Sequence, residues 1–168
     1  MPSFHLRTEQ PDDIPAIHAL TAEAFANVSH SDQREPLIVD ALRDANALAL
    51  SLVAELDGNL VGHAAFSPVT LSCDASHWFG LGPVSVLPKW QGRGIGSQLV
   101  LAGLDALKKK GAHGCVVLGD PALYERFGFV ATPLLRMAGV PADYFQGLLL
   151  NGTWPDAEVR YHPAFNGA

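Results

Sequence analysis

The stretch Val84-Ser85-Val86-Leu87-Pro88-Lys89-Trp90-Gln91-Gly92-Arg93-Gly94-Ile95-Gly96-Ser97 is the part of the chain best equipped to hold a ligand. It reads as an apolar strand, a proline-marked exit, a glycine-rich turn and a helix running to Lys110. That order aims the unpaired first amides of a helix, and the positive end of its dipole, at the space beyond a strand. A phosphate suits such a place. Gly92, Gly94 and Gly96 remove side chains that would hold a ligand away from the backbone. Two well-known phosphate loops are excluded by single residues. Gly96 is followed by Ser97 and Gln98, so the lysine of a P-loop is missing. A dinucleotide fingerprint could begin at Gly92 and Gly94, but its last glycine would have to stand where Ser97 does. What remains is Gln-x-x-Gly-x-Gly, filled by Gln91, Gly94 and Gly96. Ser97 and Gln98 either bond a phosphate or simply occupy the helix start.

A second stretch, Gly119-Asp120-Pro121-Ala122-Leu123-Tyr124-Glu125-Arg126-Phe127-Gly128-Phe129, lies one helix and one strand further on. Together the two resemble the hallmarks of the GNAT superfamily of N-acyltransferases. Gln91, Gly94 and Gly96 match its acetyl-CoA pyrophosphate loop, and Tyr124, Gly128 and Phe129 match its Tyr-x-x-x-Gly-Phe segment. The Gly-Asp-Pro lead-in and Arg126-Phe127 resemble a bacterial branch of these acetyltransferases, and the hairpin at Asp57-Gly58 sits where the family has one. The likeness covers roughly residues 4 to 130. Beyond them it is weaker and rests on Val140-Pro141 and Tyr161-His162-Pro163-Ala164-Phe165.

The resemblance implies a single α/β domain, with a mixed, mostly antiparallel sheet splayed at its centre and helices on both faces. Pantetheine would lie in a V-shaped opening between the strand ending at Leu87 and the strand Cys115 to Leu118, pairing with backbone near Val84 to Val86. The pyrophosphate would sit on the amides of residues 92 to 97. Val84, Val86, Gln91, Gly92, Arg93, Gly94, Ile95, Gly96 and Ser97 are thus the expected contacts of acetyl-CoA, a co-substrate, with no metal required. The chemistry implied is direct attack of a neutral primary amine on the thioester. A backbone amide near Val86 would polarise the carbonyl. Tyr124 would protonate the departing thiolate, since a phenol near pKa 10 and a thiol near 8.5 are closely matched. The other reading of Tyr124 is a ring packed on Phe127 and Phe129. For the general base Glu23, Asp32, Glu35, His63 and His77 stand open, though each reads more readily as a solvated surface residue. Two rival functions use the same fold: a non-catalytic acyl-CoA-binding module, and an acyltransferase for another acyl group. No serine-hydrolase elbow surrounds Ser85.

The whole chain agrees with this frame. Its 168 residues make one domain, residues 1–168, in which about 131–168 either complete the sheet or cover the acceptor site. The net charge of −6 opposes nucleic-acid binding, and Lys108-Lys109-Lys110 reads as the basic end of a helix. No apolar run approaches the ~18 residues of a membrane span. The first residues lack the pattern of a secretory signal, so the expected compartment is the cytoplasm. Cys73 and Cys115 show no metal spacing and read as buried or half-buried thiols. The expected acceptor is an amine of a small molecule or peptide. Trp154, Tyr161 and Phe165 either cover the pocket or form a homodimer contact.

The elements that must position these residues follow from periodicity. Phe4 to Arg7 alternates as a strand, and residues 12 to 26 form a helix with Ile14, Ile17, Leu20, Ala24 and Phe25 on one face. A second helix starts at Glu35, with Leu37, Ile38, Ala41 and Leu42 inward. Leu48 to Glu55 and Leu60 to Phe66 flank the Asp57-Gly58 turn, with Val69 to Leu71 as an extension. Gly80 and Gly82 mark a bulge or a close approach in the strand Trp78 to Leu87. A helix to Lys110 buries Leu99, Val100, Gly103, Leu104 and Leu107. A strand at Cys115 to Leu118, a short helix at 122 to 127 and a strand from Phe129 follow. Leu148 to Leu150 and Val159 to Tyr161 are expected to pair across Asn151-Gly152.

Overall fold

The computed structural model describes residues 4–166. Strand β1 (His5–Thr8) leads into helices α1 (Ile14–Phe25) and α2 (Glu35–Asp44). A proline stands in the first turn of each helix, where its missing N–H costs nothing. Strands β2 (Leu50–Leu56) and β3 (Asn59–Pro68) form the expected hairpin, with Asp57 and Gly58 at φ +52° and +82°. Both centres left-handed is the turn that matches strand twist. Strands β4 (Thr70–Leu71) and β5 (Trp78–Val86) precede helix α3 (Ile95–Lys109) and strand β6 (Gly114–Leu118). A short helix α4 (Pro121–Tyr124) and strands β7 (Leu135–Arg136), β8 (Phe145–Leu149) and β9 (Ala157–Arg160) complete the chain.

Six strands make one sheet in the order β1-β2-β3-β5-β6-β8, antiparallel throughout except for the β5–β6 pair. Alternation then separates its faces. Leu52, Ala54, Ala64 and Phe66 face α3 and form the main core with Leu99, Val100 and Leu104. Phe66 occupies the space where a Cβ on Gly103 would stand, which is why α3 carries a glycine in its buried stripe. Val53 turns to the other face, against Ile17 of α1 and Val39 of α2. Helices therefore cover both faces, as expected. A second sheet, β4-β9-β7, lies over Trp78, Val116 and Phe145.

Several local expectations are corrected. Leu37 is 56% exposed, and Val39 takes the inward position instead. Val69 to Leu71 does not prolong β3; β4 pairs with β9 in the second sheet. No strand begins at Phe129, which is buried beside a single bridge from Val130 to Gly147. The segments after Leu148 and Val159 do not pair with each other. β6 needs a partner on its free edge and β8 supplies it, while the amides of Leu150 and Asn151 both bond to His113 O and end that strand. Cys73 is exposed; Cys115 is buried, and burial raises its thiol pKa.

Candidate active site

The site begins where β5 leaves β6. The two strands pair from Trp78–Gly114 to Leu81–Val117 and no further. At that point Gly82 and Pro83 together oppose Ala65 alone, because Leu81 faces Phe66 and Val84 faces Ala64. This is a bulge, with Gly82 at φ +137° and a proline that has no N–H to offer a ladder. Gly80 answers the other half of the expectation: a Cβ there would come within 2.7 Å of the Tyr161 ring.

Past the bulge, β5 keeps β3 on one side and, among the described residues, has no strand on the other. Leu87 N–H bonds to Val61 O, and Ser85 opposes His63 in the same register. Backbone direction alternates along a strand, so Ser85 and Leu87 address β3 while Val84 and Val86 point into the opening. Both valines are half-buried against the main core. Gln91 Nε2 donates to Val86 O at 2.9 Å.

The turn after β5 is built for close backbone approach. Gly92 and Gly94 have φ of +76° and +84°, with open space where a Cβ would be. Gly94 is the N-cap of α3, and the first helical bond is from Gln98 N–H to Gly94 O. The amides of Ile95, Gly96 and Ser97 precede it and have no intrahelical acceptor. The Lys89 ammonium and Arg93 guanidinium lie 5.8 and 5.0 Å from the Trp90 ring centroid. Two cations and a helix dipole thus make the turn electropositive on an acidic protein.

Tyr124 is on the β6 side of the opening. Asp120 caps α4 by accepting from Ala122 N–H at 2.9 Å, and α4 brings the Tyr124 ring over Gly119. A Cβ on Gly119 would be 2.7 Å from that ring. The ring also packs at 6.4 and 6.1 Å from Phe127 and Phe129, so the packing reading is realised in full. Burial raises the phenol pKa and keeps its proton on at neutral pH.

Among the residues open as a base, Glu23, Asp32 and His77 are exposed, and Glu35 accepts from Ser31 Oγ at 2.7 Å. His63 is different. It is fully buried, with Nε2 at 2.8 Å from Ser51 Oγ, and desolvation lowers its pKa to about 4. The surface reading of His63 is therefore wrong. The signal was present in the sequence: Ser51, His63 and Ser85 each sit among apolar residues of a strand. Trp154, Tyr161 and Phe165 are used within the chain, on Trp78, Gly80 and the Ile38–Leu42 cluster respectively.

A cavity of about 320 Å³, lined by Met137, Val140, Asp143 and Phe145 among others, opens beside the end of β6, where Gly119 N–H bonds to Tyr144 O. A larger concavity of about 520 Å³ lies around Val69 and Trp78, at the opposite end of β5. Among the described residues no cluster of His, Cys, Asp and Glu could hold a metal, and no helix is long and apolar enough to cross a membrane.

Known proteins share this fold. Residues 14–129 match the model of the acetyltransferase (GNAT) family. The uncharacterized N-acetyltransferase YhbS of Escherichia coli K12 is 44% identical over 125 residues, covering 74% of this chain and 72% of the relative. YjhQ of the same organism, also an uncharacterized N-acetyltransferase, is 32% identical over 145 residues, covering 84% and 76%. A GNAT acetyltransferase from Brucella melitensis, solved with acetyl-CoA, superposes with a TM-score of 0.87 at 48% identity, over 98% of this chain and 99% of that one. YhbS from Escherichia coli, solved with CoA, gives 0.87 at 38% identity, over 99% and 93%. A splayed sheet, a glycine turn at the start of α3 and a tyrosine after β6 thus accompany a family-wide match over most of the chain, and this protein belongs to the GNAT family of acetyltransferases.

Proposed function

We propose that this chain transfers the acetyl group of acetyl-CoA to a primary amine of a small molecule or peptide. The observation that carries this reading is the edge of β5 at Val84 to Val86, which β6 does not pair. Gln91 takes Val86 O there, and the edge leads through the glycine turn to the free amides of α3. A pantetheine arm needs a strand-like partner and a pyrophosphate needs donors, and the two follow each other along one stretch of chain. The residues fit the group: nothing occupies the Cβ positions of Gly92 and Gly94, and Lys89 and Arg93 add positive charge.

In this reading Gly92 to Ser97 hold the diphosphate by backbone N–H groups, and Arg93 balances its charge. Backbone of Val84 and Val86 aligns the pantetheine, so that an amide there polarises the thioester carbonyl. The amine nitrogen bonds to the carbonyl carbon as the carbon–sulfur bond breaks. Tyr124 gives its proton to the thiolate and recovers one from solvent. The cavity beside Asp143 and Phe145 is the acceptor's entry. Calorimetric titration with acetyl-CoA, dephospho-CoA and adenosine diphosphate tests the reading. Affinity that falls as phosphates are trimmed supports it; no binding at high micromolar acetyl-CoA refutes it.

A further inference from the structure

The loop that carries Tyr124 leaves β6 at Gly119 and returns to the sheet at Val130. Both ends are fastened to β8 and the turn before it. At the start, Gly119 N–H bonds to Tyr144 O at 2.9 Å. At the end, Val130 and Gly147 exchange both backbone bonds, at 2.9 and 2.8 Å. Between these two fastenings stands Gln146, 1% exposed, whose Nε2 donates to Gly119 O at 2.9 Å. The same nitrogen reaches Asp143 O at a longer 3.4 Å. Carbonyl oxygens only accept, so the two contacts fix which end of the amide faces Gly119. Both backbone groups of Gly119 are thus held from the β8 side.

Gln146 is a costly choice for that place. It opposes Val117 in the β6–β8 ladder, and opposed side chains share a face, here the face of the main core. Its Oε1 is buried and, among the described residues, has no hydrogen-bond partner. A buried acceptor left unpaired destabilises, whereas an apolar side chain of similar length would fill the space without that loss. What the apolar side chain could not supply is the bond to Gly119. That glycine is where the Tyr124 ring rests, since a Cβ on it would stand 2.7 Å from a ring carbon. Gly119 is also the last residue before the Asp120 cap from which α4 starts. One held carbonyl therefore sets both the floor under the ring and the start of the helix that bears it.

We propose that Gln146 is the positioning residue for Tyr124, holding Gly119 and through it the phenol at the point where the thiolate leaves. The inference rests on the acetyltransferase reading, in which Tyr124 is the acid. Gln146 is buried, so it meets neither acetyl-CoA nor the acceptor, and no proton passes through it. Without its bond, Gly119 keeps the N–H anchor alone and is free to rotate about it, and the ring moves with the glycine. Proton transfer needs donor and acceptor about 3 Å apart. A displacement of about 1 Å is enough to cost as much as a hundredfold in rate.

The test is a double-mutant cycle of Gln146→Met and Tyr124→Phe, with Gln146→Leu as a second replacement and thermal melts to establish folding. CoA release from acetyl-CoA is followed with n-butylamine as probe acceptor and with water as the default one. Gln146→Met is expected to bind acetyl-CoA as the wild type does and to lose at least about tenfold in kcat. In the Tyr124→Phe background the same replacement should cost nothing more, because the hydroxyl it positions is gone. A merely structural role would lower kcat by the same factor in both backgrounds, and that result overturns the proposal. Full kcat in folded Gln146→Met or Gln146→Leu overturns it too. A readout independent of turnover is the spectrum of the protein labelled with carbon-13 at tyrosine Cζ. The Tyr124 signal, assigned by its loss in Tyr124→Phe, should move in Gln146→Met; an unmoved signal overturns the proposal. Full turnover in Tyr124→Phe alone removes the acid and the positioning role with it. A wild type that does not bind acetyl-CoA overturns the acetyltransferase reading itself.

Discussion

The side chain of Gln91 is hydrogen-bonded to the backbone carbonyl of Val86, 2.9 Å away across the turn that joins β5 to α3. This contact ties the glycine turn, proposed to hold the diphosphate, to the strand edge proposed to align the pantetheine. It also gives a stated role to the first residue of the Gln-x-x-Gly-x-Gly pattern. Replacing Gln91 by Ala removes one hydrogen bond worth about 1 kcal/mol. Acetyl-CoA affinity is expected to fall by about fivefold in a calorimetric titration. An unchanged affinity would mean that the turn holds its shape without Gln91.

Gly94→Asp acts at the other end of the turn. Gly94 has φ +84°, and open space lies where its Cβ would be. Aspartate tolerates that conformation better than most residues, so the substitution chiefly adds a carboxylate at the position proposed for the diphosphate. Acetyl-CoA binding should weaken by at least about tenfold, the size of one unfavourable charge contact of ~1.4 kcal/mol. Equal affinities for variant and wild type would remove the pyrophosphate from this turn.

Tyr124 packs on Phe127 and Phe129 whether or not it donates a proton. Tyr124→Phe keeps the ring and deletes only the hydroxyl. Turnover should drop by about a hundredfold, as for loss of a general acid, while acetyl-CoA affinity stays the same. Full turnover in the variant would leave the tyrosine a packing role only.

His63 links the interior to acid stability. Desolvation lowers its pKa from 6.5 to about 4, so between those values the unfolded chain binds a proton that the folded chain refuses. Stability is complete above pH 6.5, declines as pH falls toward 4, and loses nothing further from this group below that. The loss amounts to roughly 3 kcal/mol at most. Urea unfolding of wild type and His63→Gln at pH 7, 5.5 and 4.5 isolates the effect, since the other titrating groups are common to both. The wild type should lose more stability than the variant over this range; parallel curves would place the ring in contact with water.

Periodicity and turn chemistry were enough to locate most elements from the residues alone. The hairpin at Asp57-Gly58, the stripe Leu99 to Leu107 and the glycine entry to α3 are local patterns, each decided within about a dozen neighbouring residues. The geometry of the turn from Gln91 to Ser97 was legible for the same reason, because it is one continuous segment. Pairing between distant segments was not. Periodicity could place apolar residues at Leu148 and Val159, but only the free edge of β6 chose the first as its partner and sent the second to β4 and β7.

The chain by itself determined the helices, the hairpin, the phosphate-ready turn and the resemblance carried by Gln91, Gly94, Gly96, Tyr124, Gly128 and Phe129. Only the tertiary structure decided that β5 and β6 part company at Gly82-Pro83, because a bulge is defined by the strand opposite it. The same holds for His63. The apolar strand around His63 carried a signal of burial, but only β2 and β5 laid on either side of β3 complete it. The lowered pKa then follows from that burial, while Ser51, Glu9 and Arg43, which lie 12, 54 and 20 residues away along the chain, become neighbours of the ring only when it folds.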